Sequence, residues 1–432
     1  MSDSKLNQGS ELNEIVNIRN KWLFYRVDDT KHEFKISKHL IKRNNSLFIP
    51  SGNIWYSSLR AYPSYIINSL KLIYFLVKQL FSDKTSFQTK SAHIVFTTRG
   101  GIIDDGSSGI SRTKGLGYDL KNYSKFFPNN NVEVIHMEAF NTSQKINLNI
   151  VKTTSAFSFL LENIREANHI LKLKLPLDLR KNIVNHSLPQ LAVYTYLCAF
   201  FSAIKEQIPN VKIIHTGAIL LSCAATRSEL ETVYLYHGFA GKQSIASLPF
   251  DDHIYVYANE EKSYFENISP NSNVCLYPVQ ELSKLEKRVV IFLRATDDFM
   301  SEKILSEVLT LFSQKGYRIF LKRHPLYRGS LADKLAEAYN LEIADHENKK
   351  DASEIILNLR PSFTVSWRST SLGESLRHGV IPISLSLSIN PDTMIYPFKK
   401  RSLSWVEEKE RIFDLLEDTS LYTKTLSELR MR

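Results

Sequence analysis

The 432-residue chain contains only three cysteines, Cys198, Cys223 and Cys275. They are odd in number, widely spaced and surrounded by apolar residues, which argues against a disulfide framework or a zinc site. Buried thiols of this kind are typical of a reducing compartment, so the sequence predicts a cytoplasmic protein. The polar cluster at 251–253 lacks the spacing of metal ligands, and we expect no metal requirement.

The sequence predicts no secretory signal and contains no long apolar run free of charged residues. Its N-terminal stretch is polar and contains no apolar segment. The best membrane candidate, Tyr65–Phe81, contains Lys71 and Lys78 and is at the short limit for a spanning helix. Its apolar residues recur at helical spacing, which predicts an amphipathic helix. Two interpretations stay open: a core helix, or a helix in peripheral contact with the inner face of an anionic membrane.

Positive charge is in excess, with 55 Lys and Arg against 45 Asp and Glu and a net charge of +10. This excess favours an acidic partner: nucleic acid, anionic lipid, a polyanionic glycan or a nucleotide. The basic residues are scattered, and the aromatic residues fall in apolar periodic segments. A nucleic-acid-binding protein is therefore kept only as an alternative of another class.

The length exceeds what one hydrophobic core normally supports, so two domains are expected. Apolar β-branched runs alternate with helical patterns, which predicts parallel sheets. A polar, irregular stretch at Asn271–Lys287 is the predicted linker. The expected divisions are an N-terminal extension at 1–90, a Rossmann-like acceptor domain at 91–278, a Rossmann-like nucleotide-donor domain at 279–400 and C-terminal helices at 401–432. Two such domains facing a cleft form the architecture called GT-B.

The segment 318–384 carries the strongest functional pattern. It contains RIFLKRHPLYRG and FTVSWRSTSLGESLRHG, which predict a strand with a His-Pro loop and then a strand, a Ser/Thr turn and a helix. Hydroxyls and free N–H groups at a helix start bind anions, and the carboxyl ends of strands are where open α/β sheets bind ligands. Ordinary helix capping and solvated surface are the structural alternatives. The candidate nucleotide-binding residues are Arg294, Lys322, Arg323, His324, Pro325, Ser369, Thr370, Ser371 and Glu374.

The first domain offers candidates for a general base. His237 follows a predicted strand in the run YHGFAGK, and a pKa near neutrality would suit it to deprotonate an acceptor hydroxyl. Asp104 and Asp105 lie in the run GGIIDDGSS, where a carboxylate could take the same role. A structural histidine and a mobile surface loop are the alternatives for these two segments.

Three short segments, taken in order, resemble a known family. DDGSS at 104–108, KRHP at 322–325 and WRSTS at 367–371 resemble the signatures of bacterial GT-B sialyltransferases and polysialyltransferases. The resemblance implies that Asp105 or Asp104 is the base. It also implies that His324 and the three hydroxyls hold the phosphate of a CMP-sugar donor, without a metal.

A second resemblance involves some of the same residues. YHGFAGK, KRHP and the Ser/Thr turn are also similar to capsule and teichoic-acid polymerases that use CDP-glycerol or CDP-ribitol, and to Kdo transferases. It implies that His237 is the base. Cytidine nucleotides are common to all these relatives. The expected function is transfer of a sialic acid or Kdo-like sugar from a CMP donor to a bacterial surface glycan, such as capsule, lipooligosaccharide or O-antigen. A CDP-alditol polymerase and a non-catalytic GT-B-like protein are the alternatives.

Overall fold

A computed structural model describes most of the chain, in several separate ranges. The described residues are 21–24, 54–80, 93–98, 132–137, 151–172, 180–181, 183–207, 209–215, 219–235, 251–257, 259–269, 271–279, 281–294, 301–324, 327, 329–347, 350, 352–367, 369, 371–385 and 401–431. These residues form two compact units, the first extending to Cys275 and the second beginning at Leu276.

The first unit contains one six-stranded sheet. Its strands are β1 (His93–Thr98), β2 (Val132–Met137), β3 (Lys212–His215), β4 (Glu231–Leu235), β5 (His253–Val256) and β6 (Asn273–Leu276). Their spatial order is β2-β1-β3-β4-β5-β6, and the pairings from β2 to β5 are parallel. This is the flavodoxin-like order, in which the direction of winding reverses between the first and third strands.

In the part of the first unit that the structure describes, five α-helices accompany this sheet, and the one at Leu191–Gln207 is mostly buried. They are α1 (Ile54–Leu80), α2 (Thr153–Lys172), α3 (Leu191–Gln207), α4 (Ile219–Arg227) and α5 (Asn259–Ile268). Short turns of 3-10 or π-helix lie at Lys21–Phe24, Ile183–Ser187 and Leu188–Gln190. By length and composition, the run Ile183–Gln207 could cross a membrane. However, 78% of the residues in its most apolar 18-residue stretch are buried inside the protein, as expected of a core helix.

Helix α1 is packed into the first unit, although the sequence predicted it within an N-terminal extension. Its buried side chains share one core with α2 and α3. The Tyr65 hydroxyl donates to Asn168 Oδ1 at 3.0 Å, and Asn68 Nδ2 donates to the Leu188 carbonyl at 3.0 Å. Trp22 stacks on Tyr194 with 4.8 Å between ring centroids, which ties the short turn at 21–24 to the same core.

The second unit contains another six-stranded sheet, and all of its pairings are parallel. Its strands are β7 (Glu286–Phe292), β8 (Arg318–Lys322), β9 (Glu342–Ile343), β10 (Pro361–Ser366), β11 (Ile381–Ser384) and β12 (Leu403–Ser404). They are arranged as β12-β11-β10-β7-β8-β9. Counted from β7, this is the 3-2-1-4-5-6 order of dinucleotide-binding domains, read from the other edge. The topological switch point therefore lies between β7 and β10.

Among the described residues, six α-helices belong to the second unit. They are α6 (Glu302–Gln314), α7 (Leu331–Tyr339), α8 (Ala352–Leu359), α9 (Ser371–Arg377), α10 (Lys409–Glu417) and α11 (Leu421–Met431). The C-terminal helices, predicted at 401–432, belong to this unit, because Ile412 of α10 and Leu429 of α11 are fully buried in its core. The Tyr422 hydroxyl of α11 also accepts a hydrogen bond from the Ile381 backbone N–H at 3.0 Å.

The structure confirms the predicted fold class of an α/β protein with two Rossmann-like units. The sequence predicts strands at His93–Thr98, Val132–Met137 and Arg318–Lys322, and β1, β2 and β8 have these bounds residue for residue. In each of these runs the apolar, β-branched residues are bounded by polar or turn-forming ones, so the strand ends were marked in the sequence itself.

Candidate functional site

The carboxyl ends of β7, β8 and β10 lie side by side in the second unit. Phe292 is paired with Lys322 on one side and with Ser366 on the other. Two further bonds close this edge: the Leu293 N–H donates to the Lys322 carbonyl at 2.9 Å, and Ser366 Oγ donates to the Phe292 carbonyl at 3.0 Å. Neighbouring strands are about 4.8 Å apart. The segments that follow these strands therefore leave the sheet at one edge, around the switch point.

Each of the three segments carries a polar candidate residue. Arg294 follows β7 and is half-buried, His324 follows β8 and is exposed, and Ser369 follows β10 and is half-buried. In open α/β sheets, ligands bind at this edge and at this point of the strand order. The three residues were predicted separately from the sequence, and the topology assigns them to adjacent strands.

The serines after β10 are linked to each other. Ser369 Oγ accepts hydrogen bonds from the Ser371 hydroxyl at 2.9 Å and from the Ser371 backbone N–H at 3.3 Å. A serine hydroxyl has two acceptor lone pairs and one donor proton. Because both acceptor positions of Ser369 are used, its proton is the group that can be offered to an incoming acceptor such as a phosphate oxygen.

A chain of buried hydroxyls beneath this turn was not predicted. Thr364 Oγ1 donates to Ser375 Oγ at 2.7 Å, and Ser375 Oγ donates to the Ser371 carbonyl at 2.6 Å. All three residues are buried, and buried hydrogen-bonded networks hold their members in one arrangement. The network therefore fixes Ser371, and through it Ser369. A sequence signal was present, since Ser371 and Ser375 are four residues apart and therefore lie on the same face of a helix.

Helix α9 begins at Ser371, and it ends at Arg377, close to Gly379, the residue that the sequence predicts as its C-terminal stop. The Gly379 N–H bonds to the Leu376 carbonyl at 3.2 Å, and the Val380 N–H to the Ser375 carbonyl at 2.9 Å, which is a Schellman motif. Gly379 has the positive φ of +76° that this motif requires. The helix has only seven residues, so we base the site on the side-chain hydroxyls and not on the helix dipole.

Glu374 belongs to an internal network. It is buried, and its Oε2 accepts a hydrogen bond at 3.1 Å from Ser353 Oγ of α8. The Nε2 atom of the fully buried His378 lies 3.3 Å from the same Ser353 oxygen. The observed contacts of Glu374 thus join α9 to α8, and its assignment to nucleotide binding stays a prediction.

The backbone of His324 is held by a turn and by the start of α7. The Tyr327 N–H donates to the His324 carbonyl at 2.9 Å, and the Tyr327 hydroxyl accepts from the Ala332 N–H at 2.9 Å. The pKa of His324 is lowered, first by the protein atoms that desolvate the ring and then by the charges of Lys322 and Arg294. The ring keeps access to solvent, so this shift has a modest effect on stability. His324 is thereby favoured as neutral imidazole before an anion binds.

Lys322 and Arg323 make ion pairs within the protein. Lys322 is buried, with its Nζ 3.7 Å from Asp345 Oδ2 and 3.0 Å from the Arg323 carbonyl. The Arg323 guanidinium forms an ion pair with Asp333 of α7. Asp345, which sequence reasoning missed, neutralises a buried charge at the end of β8. The role of Lys322 visible here is electrostatic, through the pKa of His324.

We expect the wild type to lose stability relative to a His324→Gln variant as the pH falls below about 6.5. The imidazole of the unfolded chain is protonated near that pH, whereas the folded-state pKa is lower. Protonation in this window favours the unfolded state, so the stability contribution is complete above the window and lost below it. Thermal unfolding of both proteins between about pH 5 and pH 8 measures the difference. A difference that does not change with pH contradicts the expectation.

Five predicted site residues lie outside the described residues. They are the candidate bases His237, Asp104 and Asp105 and the nucleotide-site residues Pro325 and Thr370. In the sequence, Asp104 and Asp105 follow β1, which ends at Thr98, and His237 follows β4, which ends at Leu235.

A buried polar cluster at the end of β3 was also missed. Asp251 Oδ1 lies 2.8 Å from His215 Nε2 and accepts a 2.5 Å hydrogen bond from Ser222 Oγ. The His215 ring stacks on Tyr234 with 5.0 Å between centroids. The sequence had shown Asp251 only as part of a polar cluster. Within the described ranges, no group of three or more His, Cys, Asp or Glu side chains is arranged to hold a metal ion.

No protein-family model matches the chain, and no curated protein matches it. Among solved structures, the wall teichoic acid polymerase TagF soaked with CDPG has 12% identity, covers 88% of this chain and 92% of its own, and has a TM-score of 0.42. S. aureus MnaA with UDP has 9% identity, covers 78% of this chain and 91% of its own, and has a TM-score of 0.40. The catalytic domain of starch synthase IV from Arabidopsis thaliana, with ADP and acarbose, has 9% identity, covers 78% and 94%, and has a TM-score of 0.33. These are distant likenesses, and the residues of this chain carry the proposals below.

Proposed function

We propose that this protein is a glycosyltransferase that uses a sugar activated by a cytidine nucleotide, with the donor phosphate bound by the second unit. The observation that carries the proposal is the placement of Arg294, His324 and Ser369 after three adjacent parallel strands, at the switch point of a Rossmann-ordered sheet. A cation, an imidazole and a hydroxyl donor at one such edge fit a phosphate group.

The chemistry follows from the donor. An acceptor hydroxyl oxygen attacks the anomeric carbon of the sugar, and the bond between that carbon and the phosphate oxygen breaks. The electron pair of that bond leaves with CMP, while the acceptor proton passes to a base. Stabilising the growing negative charge on the phosphate is then the main electrostatic task. Arg294 supplies a fixed charge, Ser369 a hydrogen-bond donor, and His324 becomes a better donor as the phosphate raises its pKa.

The remaining roles rest on the resemblance stated above. His237, Asp105 or Asp104 would be the base that receives the acceptor proton, and a bacterial surface glycan would be the acceptor. A CDP-alditol donor would bring a diphosphate to the same strand ends, so the choice between a CMP-sugar and a CDP-alditol belongs to experiment. Arg294, His324 and Ser369 suffice for phosphate binding in this scheme, and no divalent ion is invoked.

The test combines ligand binding with product analysis. We expect CMP to raise the thermal unfolding temperature, because a ligand that binds only the folded state stabilises it. Cytidine without phosphate should give a much smaller shift. Mass analysis of products from a panel of CMP-sugars and CDP-alditols then identifies the donor. No shift with CMP, CDP or UMP, together with no product from any donor, would overturn the proposal.

Replacing Ser369 with alanine should weaken CMP binding by about tenfold to a hundredfold, since hydrogen bonds to charged groups contribute about 1.5–3 kcal/mol. The matched control is Ser362→Ala, which removes a hydroxyl at the opposite end of the same strand, where it bonds to the Glu286 carbonyl at 2.7 Å. Calorimetric titration of CMP into both variants measures the effect. Equal affinity in the two variants would show that the Ser369 hydroxyl does not contact the phosphate.

A further inference from the structure

Helix α1 carries an apolar face that is exposed over more than four turns. Seven large side chains form this α1 outer face, with exposed fractions between 42% and 62%. A helix on the surface of a globular protein normally presents polar residues to solvent. The α1 outer face consists of Tyr62, Ile66, Ile67, Leu70, Ile73, Tyr74 and Val77.

The opposite side of α1 is committed to the protein core. Ala61, Leu72 and Leu76 are buried there together with residues of α2 and α3. A helix fixed in this way on one side cannot cross a bilayer with lipid all round it. The neighbouring helix α2 packs on the same core but exposes charged residues, among them Glu162 and Arg165. The apolar exposure is therefore a property of α1 and not of every helix on this unit.

The charge of α1 is of one sign. The 27 residues Ile54–Leu80 include no Asp or Glu, whereas Arg60, Lys71 and Lys78 are basic. Lys71 is exposed and, at 3.6 residues per turn, lies at the flank of the α1 outer face. Exposed apolar residues with interspersed basic ones are what a helix needs in order to lie in the interface of an anionic bilayer. Tyr62 and Tyr74 each have an apolar ring and a polar hydroxyl, and such side chains are enriched at the depth of the lipid headgroups.

We propose that the α1 outer face docks the protein in the plane of an anionic lipid surface. The helix is about 40 Å long at 1.5 Å per residue, so the contact line is long enough for several apolar side chains to enter the lipid together. A second copy of the chain fits the face less well. Antiparallel two-fold pairing of the face with itself about its midpoint would bring Lys71, which flanks the face halfway along its length, towards the Lys71 of the other copy, and like charges repel.

The test measures binding of the full chain to vesicles of defined composition. We expect the wild type to co-sediment with vesicles of phosphatidylglycerol and phosphatidylcholine, and much less with pure phosphatidylcholine. The variant Ile66→Glu/Leu70→Glu should bind the anionic vesicles at least about tenfold more weakly, because two inserted side chains are lost to the lipid. Circular dichroism and thermal unfolding confirm that the variant is folded.

Two further variants make the result specific. The control Val279→Glu/Val406→Glu replaces two apolar residues of the second unit that are similarly exposed, at 53% and 49%, and should bind as the wild type does. Lys71→Gln should weaken binding to anionic vesicles and leave the weak binding to neutral ones unchanged.

Three results would overturn the proposal. The first is a wild type that stays in the supernatant with anionic vesicles. The second is an equal loss of binding in the control variant. The third is a dimer in sedimentation velocity that Ile66→Glu/Leu70→Glu dissociates while vesicle binding is absent, since this result assigns the face to a second copy of the chain.

Discussion

Replacing His324 with alanine lowers donor turnover by about a hundredfold to a thousandfold and leaves the fold intact, which is the size of effect seen when one preorganised charge-stabilising donor is removed. The ring is exposed at the end of β8 and makes no part of the core of the second unit. Its loss therefore removes a donor to the departing phosphate without creating a cavity. The measurement is kcat/KM for the donor that the product panel identifies, with thermal unfolding of the same preparation.

The control for this variant is His346→Ala. His346 is an exposed histidine in the turn after β9 of the same unit, and its replacement should leave kcat/KM unchanged. A folded His324→Ala protein that turns over the donor at a near-normal rate would remove His324 from the site.

Replacing Phe363 with alanine lowers the free energy of unfolding by about 3–5 kcal/mol, the usual range for a phenylalanine deleted from a core. Phe363 of β10 is 1% exposed and meets three other aromatic rings. Its ring centroid is 5.6 Å from that of Phe312, 5.7 Å from Tyr317 and 5.8 Å from Tyr422. These residues come from a strand, two flanking helices and the turn before β8, so the cavity would loosen several elements at once.

Urea unfolding followed by circular dichroism measures this loss, with Phe413→Ala as the matched control. Phe413 of α10 is 36% exposed, so its replacement should cost far less than that of Phe363. Because Phe363 lies on the strand that leads to Ser369, CMP binding should weaken in the Phe363→Ala protein as the unit loses stability. An equal cost for the two substitutions would place Phe363 outside a packed core.

Much of the second unit could be predicted because its signals are local. The segment Arg318–Lys322, with its apolar centre and with Pro325 shortly after it, predicts a strand that ends at Lys322, and the structure ends β8 there. The helix after the Ser/Thr turn and its stop at Gly379 were also predicted, because glycine commonly ends helices, and the structure gives Gly379 the positive φ that such an ending requires. The two-residue strands β9 and β12 were missed, since so few residues carry no period.

The partners of the polar residues could not be predicted. Lys322 and Arg323 are adjacent in the sequence, yet one is buried against Asp345 and the other pairs with Asp333. The direction of each side chain depends on its acidic partner: Asp345, which follows β9, and Asp333, which lies on α7. Glu374 was predicted as a site residue from its position in the first turns of a helix, whereas its hydrogen bond with Ser353 of α8 could not be foreseen from the sequence.

The amino-acid sequence by itself determined the two α/β units, most of the long strands and the polar residues that follow them, because strand periodicity and turn chemistry act over a few neighbouring residues. Only the tertiary structure decided the strand order β10-β7-β8, which makes Arg294, His324 and Ser369 neighbours across one sheet edge. It also decided that one apolar face of α1 enters the core while the other is left exposed. Both outcomes depend on pairing and packing between segments far apart in the chain, and no local pattern encodes them.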